Sequence, residues 1–544
     1  MSMREKYYFP NEVNTILTEN PEYKQFLYSR GFLITDRGDL DLSDYPFYGM
    51  WEKHLLKGLY YIYIRDNVQY FTFEKNGTLL FLIGHAYDPW DMETDENALL
   101  KNLSLLEGTG FWQYEANFTG VYVMGKILPD GTIYHWSDCA GMRISYYGTA
   151  DGNYYISSHA NLVAELCGLC EDSYIRKLKS SRYFHLFGNV LPADLSPYCE
   201  LRRTVPNHVY CSDGTKKRFF PIQTIEECKD EAAYQKVVEE SARILMNSLS
   251  LCAEKWRGKK VAISVTGGKD SGVTLASANG NYEQFQYFSY ISKPEEAVDA
   301  EAAAKICSAL GLRHRIFRIP EAENNDTAFE LLNEIIKLNT GKIGYIKPNE
   351  VRKRLTLIKE QSYDIEIKSW VNEIVRAYWY KKYSVKRFHQ RPNGRYLAAL
   401  YKVFLENRVL YFKTAQVFSR YISEYMTDRD ISLVGDWTTL WSWEFGFSAG
   451  EGQSLSAEHM LSFDITIPFN NRHLISLMLQ PKLNDRIADR LQMDIIKRNN
   501  YTQAKLNVNV VNVAHTKKRA WMEKMYLVIN SHLPFSAMSK TRKA

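Results

Sequence analysis

The sequence predicts an α+β N-terminal domain with layers of antiparallel sheet, followed by an α/β domain with a doubly wound parallel sheet and a helical C-terminal extension. Short strand-like runs separated by turn dipeptides fill roughly the first 215 residues. Strand and helix patterns then alternate from about residue 260 to about residue 319, and the pattern beyond Phe329 is mostly helical. We therefore place the predicted domains at residues 1–215 and 216–544.

The strand-like runs of the N-terminal half are rich in β-branched and aromatic residues. Turn signals such as Asn76-Gly77, Asp130-Gly131 and Asp151-Gly152 separate neighbouring runs, which favours antiparallel hairpins. The predicted strands are residues 60–64, 70–73, 79–83, 120–127, 132–136, 154–157 and 205–210.

The C-terminal half begins with apolar residues at helical spacing, which predict a long amphipathic helix over residues 231–256. Continuous short apolar runs with helical stretches between them follow. This order is typical of a parallel sheet with crossover helices. The predicted elements are strands 260–265, 285–291 and 314–319, a helix start at 273–278 and a helix at 295–310.

The composition is that of an ordinary globular protein and excludes several classes of function. The 544 residues include 68 Lys and Arg against 63 Asp and Glu, a net charge of +5, which excludes a polycationic nucleic-acid coat. Hydrophobic residues make up 45%, which excludes wholesale disorder. The N-terminus has no apolar signal core, and no run approaches the roughly 20 apolar residues of a membrane span. We expect a cytoplasmic protein with no membrane partner.

Eight cysteines without regular spacing do not indicate a disulfide scaffold. Cys167 and Cys170 form a single CxxC after the apolar stretch 161–166, and no second pair completes a zinc site. We interpret these two cysteines as packing residues.

The most specific local signal is the segment TGGKDSG, which follows the buried run 261–265. Such a strand delivers the chain to the carboxyl edge of a sheet, where glycines and a helix N-terminus offer backbone N–H groups to phosphate oxygens. An aspartate beside phosphate fits if Mg²⁺ bridges the two, so we predict ATP and Mg²⁺ as cofactors. The simpler alternative is a tight strand-to-helix turn with a capping residue. The predicted cofactor-binding residues are Thr266, Gly267, Gly268, Asp270, Ser271 and Gly272.

This segment resembles the SGGxDS loop of enzymes that split ATP into AMP and pyrophosphate, and residues 55–500 are similar to the asparagine synthetase family, which includes β-lactam and lasso-peptide macrolactam synthetases. The resemblance implies a glutaminase-like domain of the N-terminal-nucleophile (Ntn) hydrolase type, joined to an ATP-pyrophosphatase domain. The matching segments outside the loop are Phe118-Thr-Gly120, Asp138 to Tyr147, Tyr155 to Ser158 and Phe463 to Arg472.

The chain departs from that family at the glutaminase nucleophile. The family uses an N-terminal cysteine activated by its own α-amino group, whereas the first cysteine here is Cys139. Ser2 could take this role only after removal of Met1, and it lies far from the recognisable domain. We expect no glutaminase activity, with the nitrogen coming from free ammonia or from a substrate amine.

The second departure lies in residues 368–378, which resemble the family's G-E-G-x-D-E-L-F-G-G-Y. Glu373 and Tyr378 match, Asn372 replaces a metal-binding aspartate, and Ser369 replaces a glutamate that assists the acyl acceptor. The resemblance implies Asp270 and Asn372 as metal ligands, and Glu373 and Lys497 as catalytic residues. Glu366, shortly before this segment, is a further candidate catalytic residue, whose carboxylate would compensate for the uncharged ligand Asn372. An ordinary amphipathic helix with surface charges is the alternative.

Residues 376–395 hold seven basic side chains and no acid. They could form a solvated helix face, an electrostatic funnel for ATP and pyrophosphate or another polyanion, or, with interleaved Tyr378, Trp379, Tyr380 and Tyr383, a nucleic-acid surface.

The sequence therefore predicts an AMP-forming ligase that joins a nitrogen nucleophile to a small-molecule or peptide carboxylate. Two alternatives stay open: a nucleotide-binding scaffold that has lost ligase activity, and a nucleic-acid-modifying enzyme that activates a base carbonyl. A homodimer is also open, and the substrate cannot be identified from the sequence.

Overall fold

The computed structural model describes residues 10–181, 184, 190–321, 327–341, 348–385, 388, 391–401, 408–457, 459–506, 508 and 517–532. Its strands form two six-stranded sheets and one five-stranded sheet. The strands are β1 (Phe32–Thr35), β2 (Trp51–Leu56), β3 (Tyr60–Arg65), β4 (Tyr70–Lys75), β5 (Thr78–Tyr87), β6 (Thr119–Ile127), β7 (Ile133–Ser137), β8 (Tyr146–Ala150), β9 (Asn153–Ser157), β10 (Leu201–Arg203), β11 (His208–Cys211), β12 (Lys216–Arg218), β13 (Val261–Ser264), β14 (Gln286–Ile291), β15 (His314–Arg318), β16 (Ile365–Ile367) and β17 (Asp464–Thr466).

Helices surround all three sheets, and no described helix combines the length and apolar character needed to cross a membrane. The α-helices are α1 (Pro10–Glu19), α2 (Glu96–Leu103), α3 (Gly108–Glu115), α4 (Ala160–Cys167), α5 (Ser173–Lys179), α6 (Glu231–Lys255), α7 (Lys269–Ser277), α8 (Ala297–Ala309), α9 (Thr327–Thr340), α10 (Pro348–Glu360), α11 (Tyr378–Tyr383), α12 (Gly394–Leu400), α13 (Arg408–Tyr425), α14 (Asp428–Val434), α15 (Trp437–Trp441), α16 (Gly452–Ala457), α17 (Arg472–Leu479), α18 (Leu483–Ile487), α19 (Arg490–Asn499), α20 (Tyr501–Lys505) and α21 (Lys517–His532). A π-helical stretch, Ser442–Glu451, joins α15 to α16, and 3₁₀ turns occupy Pro21–Phe26, Tyr282–Gln284, Pro294–Glu296, Asn372–Arg376 and His459–Leu461.

The two antiparallel sheets pack face to face between helical layers. Their strand orders are β10-β8-β9-β1-β3-β2 and β12-β11-β7-β6-β5-β4. Alternation along β5 explains the layering, because Phe81 and Ile83 point into the core between the sheets while Leu80 and Leu82 point toward helices α2 and α3. The antiparallel part of the predicted fold is therefore confirmed.

The seven predicted N-terminal strands all form, as β3 to β7, β9 and β11, with ends shifted by a few residues. Strands β1, β2, β8, β10 and β12 were not predicted. They are short or lie near a sheet edge, where charges and a glycine such as Gly148 obscure the alternation. Strand β12, just beyond the predicted boundary at residue 215, still pairs with β11.

The parallel sheet has the order β15-β14-β13-β16-β17, and all four of its strand pairs are parallel. Its first three strands confirm the predicted alternation. The described chain beyond Phe329 is mostly helical, as predicted. Strand β17 was not predicted, because it has only three residues and gives no periodic signal. β17 forms because it pairs with β16. The Asp464 N–H donates to the Asp364 carbonyl, and this bond aligns the first residues of the two strands.

The antiparallel and parallel parts share one continuous hydrophobic core. Leu82, Trp136, Leu245, Ile465 and Ile495, drawn from both halves of the chain, belong to it. The predicted boundary therefore lies at a change of topology within a continuous core. All eight cysteines are free thiols, and α4 ends at Gly168 in the left-handed conformation between Cys167 and Cys170.

A buried polar network also joins the two parts at the segment that follows β17. The Arg472 side chain is fully buried and bonds both Glu115 oxygens, at 2.8 and 3.0 Å, the Ser137 carbonyl at 2.7 Å and the Asn207 amide oxygen at 3.1 Å. Every acceptor comes from the N-terminal half. The segment singled out by the resemblance, 463–472, thus fastens the parallel sheet to the antiparallel layers.

Candidate active site

The candidate site is a cleft at the carboxyl ends of β13 and β16. These neighbouring strands form the point where the strand order of the parallel sheet reverses, and ligands of open α/β sheets bind in the crevice there. The cleft holds about 340 Å³, near the lower end of ligand pockets. A larger groove of about 840 Å³ lies at the opposite, amino edge of the sheet, away from these loops. Among the residues lining the cleft are Thr266, Asp270, Ser271, Ser369, Trp370 and Glu373.

The loop after β13 is braced by hydrogen bonds among the predicted residues. The Ser271 hydroxyl accepts from the Thr266 N–H at 3.1 Å and lies 3.0 Å from the Thr266 hydroxyl, which accepts from the Gly268 N–H at 3.1 Å. The helix begins at Lys269, four residues before the predicted helix start at residue 273. At Gly272 an added Cβ would lie 3.2 Å from Ile496 of α19, so this glycine allows close helix packing.

The Gly267 N–H donates to the carboxylate of Asp299 on α8, which also lines the cleft. Sequence analysis did not single out Asp299. The loop therefore already contacts a carboxyl group at one of the N–H positions that would face phosphate oxygens.

Asp270 stands at the centre of a charged cluster. The Asn372 amide donates to Asp270 Oδ1 at 2.6 Å, and Arg376 forms an ion pair with Oδ2. Arg376 also pairs with Asp489 at 2.8 Å, as do Lys269, at 3.1 Å, and Lys381. Burial alone would raise the pKa of Asp489, but the bonds from Arg376 and Lys381 lower it to about 2. Asp489 is therefore an anion that collects three cations beside the loop. No local signal in the sequence identifies it.

Glu373 lies beside Asp270, and its Oε2 is buried without a hydrogen-bond partner among the described residues. Burial and the Asp270 charge raise the pKa of Glu373 to about 8. In the free protein this carboxyl is protonated at neutral pH. An acid of this kind in a cleft is typical of functional sites.

The residues present fit Mg²⁺ in its usual mode of one or two carboxylates plus phosphate oxygens. The orphaned Oε2 of Glu373 and the neighbouring Asp270 supply the carboxylates. Among the described residues no cluster of three or more His, Cys, Asp or Glu side chains could hold a metal without a phosphate. Asn372, predicted as a ligand, donates its amide to Asp270 and accepts from Gln492 at 3.2 Å, so here it orients Asp270.

The remaining predicted residues are more dispersed. Glu366 is buried and pairs with Lys368 at 2.8 Å, and Lys368 lines the cleft where Glu366 does not. Ser369 donates to the Thr274 hydroxyl at 2.8 Å. Lys497 lies on the exposed face of α19, whose Gln492 and Ile496 face the site instead. The cations beside the loop are Lys269, Arg376 and Lys381.

Much of the basic segment is engaged within the protein. Arg376 and Lys381 pair with acids, and the Lys382 ammonium lies 5.0 Å from the Trp379 ring centre. Arg391 pairs with Asp428 on the surface at 2.8 Å, whereas Lys386 and Arg387 lie outside the described residues. Two of the seven cations thus belong to the charged cluster of the cleft.

Replacing Glu373 with glutamine should remove a pH dependence of stability. An unfolded glutamate titrates near pH 4.5 and the folded one near 8, so between these values the unfolded state binds fewer protons and the free energy of unfolding falls as pH rises. The urea midpoint of the wild type should therefore drop from pH 5 to pH 8 more than that of Glu373→Gln.

Glu295→Gln, at an exposed acid, is the matched control and should keep the full wild-type drop. Mg²⁺ binding should release the Glu373 proton and so become tighter up to about pH 8, again only when Glu373 is present. Equal pH profiles for all three proteins would show that Glu373 has an ordinary pKa.

Comparison with protein-family models gives no match, and comparison with curated proteins gives none. Among solved structures, a U34-tRNA thiolase from Methanococcus maripaludis is 14% identical and matches over 56% of this chain and 78% of its own, with a TM-score of 0.23. Glutamine phosphoribosylpyrophosphate amidotransferase from B. subtilis is 11% identical over 69% and 75%, and an allosteric regulatory enzyme of purine biosynthesis is 11% identical over 66% and 71%, both with TM-scores of 0.23. Scores this low assign neither a fold nor a function.

Proposed function

We propose that the protein is an ATP-dependent, AMP-forming ligase of the asparagine synthetase type that makes a carbon–nitrogen bond to a small-molecule or peptide carboxylate. The observation that supports this most directly is the braced loop 266–272 meeting Asp270 and Glu373 at the switch point of a parallel sheet. Each part has a role in phosphoryl chemistry, and the resemblance of the loop indicates which bond of ATP is broken.

In the first step the substrate carboxylate oxygen forms a bond to the α-phosphorus of ATP, and the bond from that phosphorus to the bridging β-oxygen breaks. The positive end of α7 binds the departing pyrophosphate, together with the Gly267 and Gly268 N–H groups once the phosphate displaces their present acceptors, the Asp299 carboxylate and the Thr266 hydroxyl. Lys269, Arg376 and Lys381 place positive charge where its negative charge develops. Mg²⁺, held by Asp270 and Glu373, would neutralise phosphate charge when bound.

In the second step a nitrogen nucleophile attacks the carbonyl carbon of the acyl-adenylate and forms the new carbon–nitrogen bond. The bond from that carbon to the phosphate oxygen breaks, and AMP leaves. The nucleophile must lose a proton, and Glu373, which has a pKa of about 8, accepts it once Glu373 itself is deprotonated. We propose ammonia or a substrate amine rather than glutamine as the nitrogen source.

The test is a product analysis. The protein is incubated with α-labelled ATP, Mg²⁺ and a small-molecule extract of host cells, with and without added ammonium, and the labelled nucleotides are separated. We expect AMP and pyrophosphate together with a new amide identified by mass. Formation of ADP instead of AMP would overturn the proposal.

One observation favours a second candidate, a nucleotide-binding scaffold without ligase activity. Arg376 and Asn372 occupy both oxygens of Asp270, which a metal must share or displace. A scaffold would bind ATP without exchanging labelled pyrophosphate into it. Measurable pyrophosphate exchange with any carboxylate would eliminate this candidate.

A further inference from the structure

A buried arginine near the wall of the cleft has no hydrogen-bond partner among the described residues. Arg354, on α10, is 1% exposed, and its Nε and both Nη atoms make no hydrogen bond within the described residues. No other described arginine is buried with all three nitrogens unsatisfied. Burying an unpaired charge carries a free-energy cost comparable to the net stability of a folded domain, so such a group calls for an explanation.

Arg354 lies close to residues that line the cleft. Burial lowers the pKa of Lys368, Glu366 opposes this effect, and the positive charge of Arg354 lowers the pKa further. The pKa of His459 lies well below its usual value, chiefly because of burial and next because of the Arg354 charge. The His459 ring centre lies 4.9 Å from that of Trp370, and the Lys368 ammonium lies 4.9 Å from the same Trp370 ring. Lys368 and Trp370 both line the cleft.

The carboxylates of this wall are already paired with lysines. Lys353 bonds Glu296 at 3.3 Å and Glu350 at 3.2 Å, and Lys368 bonds Glu366 at 2.8 Å. None of them is hydrogen-bonded to Arg354. The three Arg354 side-chain nitrogens therefore have no hydrogen-bonded acceptor among the described residues.

We propose that Arg354 forms an anion subsite of the cleft, which binds an anionic end group of the acyl substrate, a carboxylate, remote from the carboxylate that is activated. A planar guanidinium binds a carboxylate through two parallel N–H bonds, and Lys353, the residue before Arg354 on α10, lines the cleft together with Lys368 and Trp370. This inference rests on the proposed function for the identity of its ligand.

A phosphate group of ATP has the same oxyanion chemistry. We favour the substrate because the phosphates already have donors elsewhere, from the backbone of the loop 266–272 and from Lys269, Arg376 and Lys381 around Asp489. Arg354 is on a different element, α10, and interacts with Tyr290 and Lys368 on the cleft wall.

The test compares the melting temperature of the protein in sodium succinate, sodium acetate, sodium pyrophosphate and sodium chloride at equal ionic strength. Wild type, Arg354→Met and Lys359→Met are measured, the last being an exposed cation on the same helix. Wild type and Lys359→Met should gain about 2 °C in saturating succinate over chloride, and Arg354→Met should gain none. The free Arg354→Met protein should melt higher than wild type, because an unpaired buried charge is gone.

Three results would overturn the inference. The first is an Arg354→Met protein that melts lower than wild type without ligand and is still stabilised by succinate. The second is an Arg354→Met protein that loses stabilisation by pyrophosphate but not by succinate, and the third is a wild-type protein whose melting temperature no carboxylate raises. If Arg354→Met does not fold, Arg354→Lys keeps the charge without the fork and should weaken succinate binding about tenfold; unchanged binding would again overturn it. These readouts need no turnover. AMP formation without carboxylate binding would therefore reject this inference alone, and carboxylate binding with ADP formation would reject only the proposed function.

Discussion

Asp270→Asn is expected to lower pyrophosphate exchange into ATP at least about 100-fold, the usual loss when a group that stabilises transition-state charge is removed. The amide keeps the size of the side chain but carries no charge for Mg²⁺ or for Arg376, whose guanidinium would then pair with Asp489 alone. Rate constants are measured with the carboxylate found in the product analysis, at saturating ATP.

The control for Asp270→Asn is Glu295→Gln, which removes a negative charge from the exposed surface near the cleft. It should retain nearly full exchange. Melting temperatures separate lost chemistry from lost structure, because Arg376 keeps its second partner and the fold should persist in Asp270→Asn. If that variant exchanges pyrophosphate at the wild-type rate, Asp270 has no part in catalysis and the proposed function fails.

Arg472→Met is expected to lower the free energy of unfolding by about 3–5 kcal/mol. The substitution leaves the Glu115 carboxylate fully buried with no cation, and the Ser137 carbonyl and Asn207 amide lose a donor. The loss occurs where α17 joins the antiparallel layers, so both halves should unfold at a lower urea concentration. The urea midpoint, followed by tryptophan fluorescence, measures it.

Two comparisons make the Arg472 test specific. Arg498→Met breaks the exposed pair with Glu239 and should change the free energy of unfolding by less than about 1 kcal/mol. Adding Glu115→Leu to Arg472→Met should recover part of the loss, because the orphaned charge disappears with its partner. An Arg472→Met protein as stable as Arg498→Met would show that the buried network contributes nothing to joining the halves.

Much of the fold could be predicted because its signals are local. Alternating residues and turn dipeptides locate seven antiparallel strands, and the apolar runs 260–265, 285–291 and 314–319 locate three of the five parallel strands. β17 could not be found this way, because three residues carry no period. It becomes a strand only when β16 offers a buried edge to pair with.

The candidate site divides in the same manner. The loop 266–272 is contiguous, so its glycines and aspartate could be recognised in the sequence as a pattern that suits phosphate and Mg²⁺. Glu373 follows from a motif resemblance. The properties of Asp489 and Arg354 depend on residues far away in the chain. More than 100 residues separate Arg376 from Asp489, and Arg354 from His459, whose pKa its charge lowers. The exposure of Lys497 likewise depends on which face α19 turns toward α7.

The sequence by itself determined the order of the sheets and the glycine-containing loop 266–272, since each depends on neighbouring residues. Only the tertiary structure decided which side chains meet at the cleft. It brought Asp489 to three cations, gave Glu373 a pKa of about 8 and left Arg354 buried without an acceptor. Burial and the distances between charges set these properties, and both arise only when segments distant in sequence pack together.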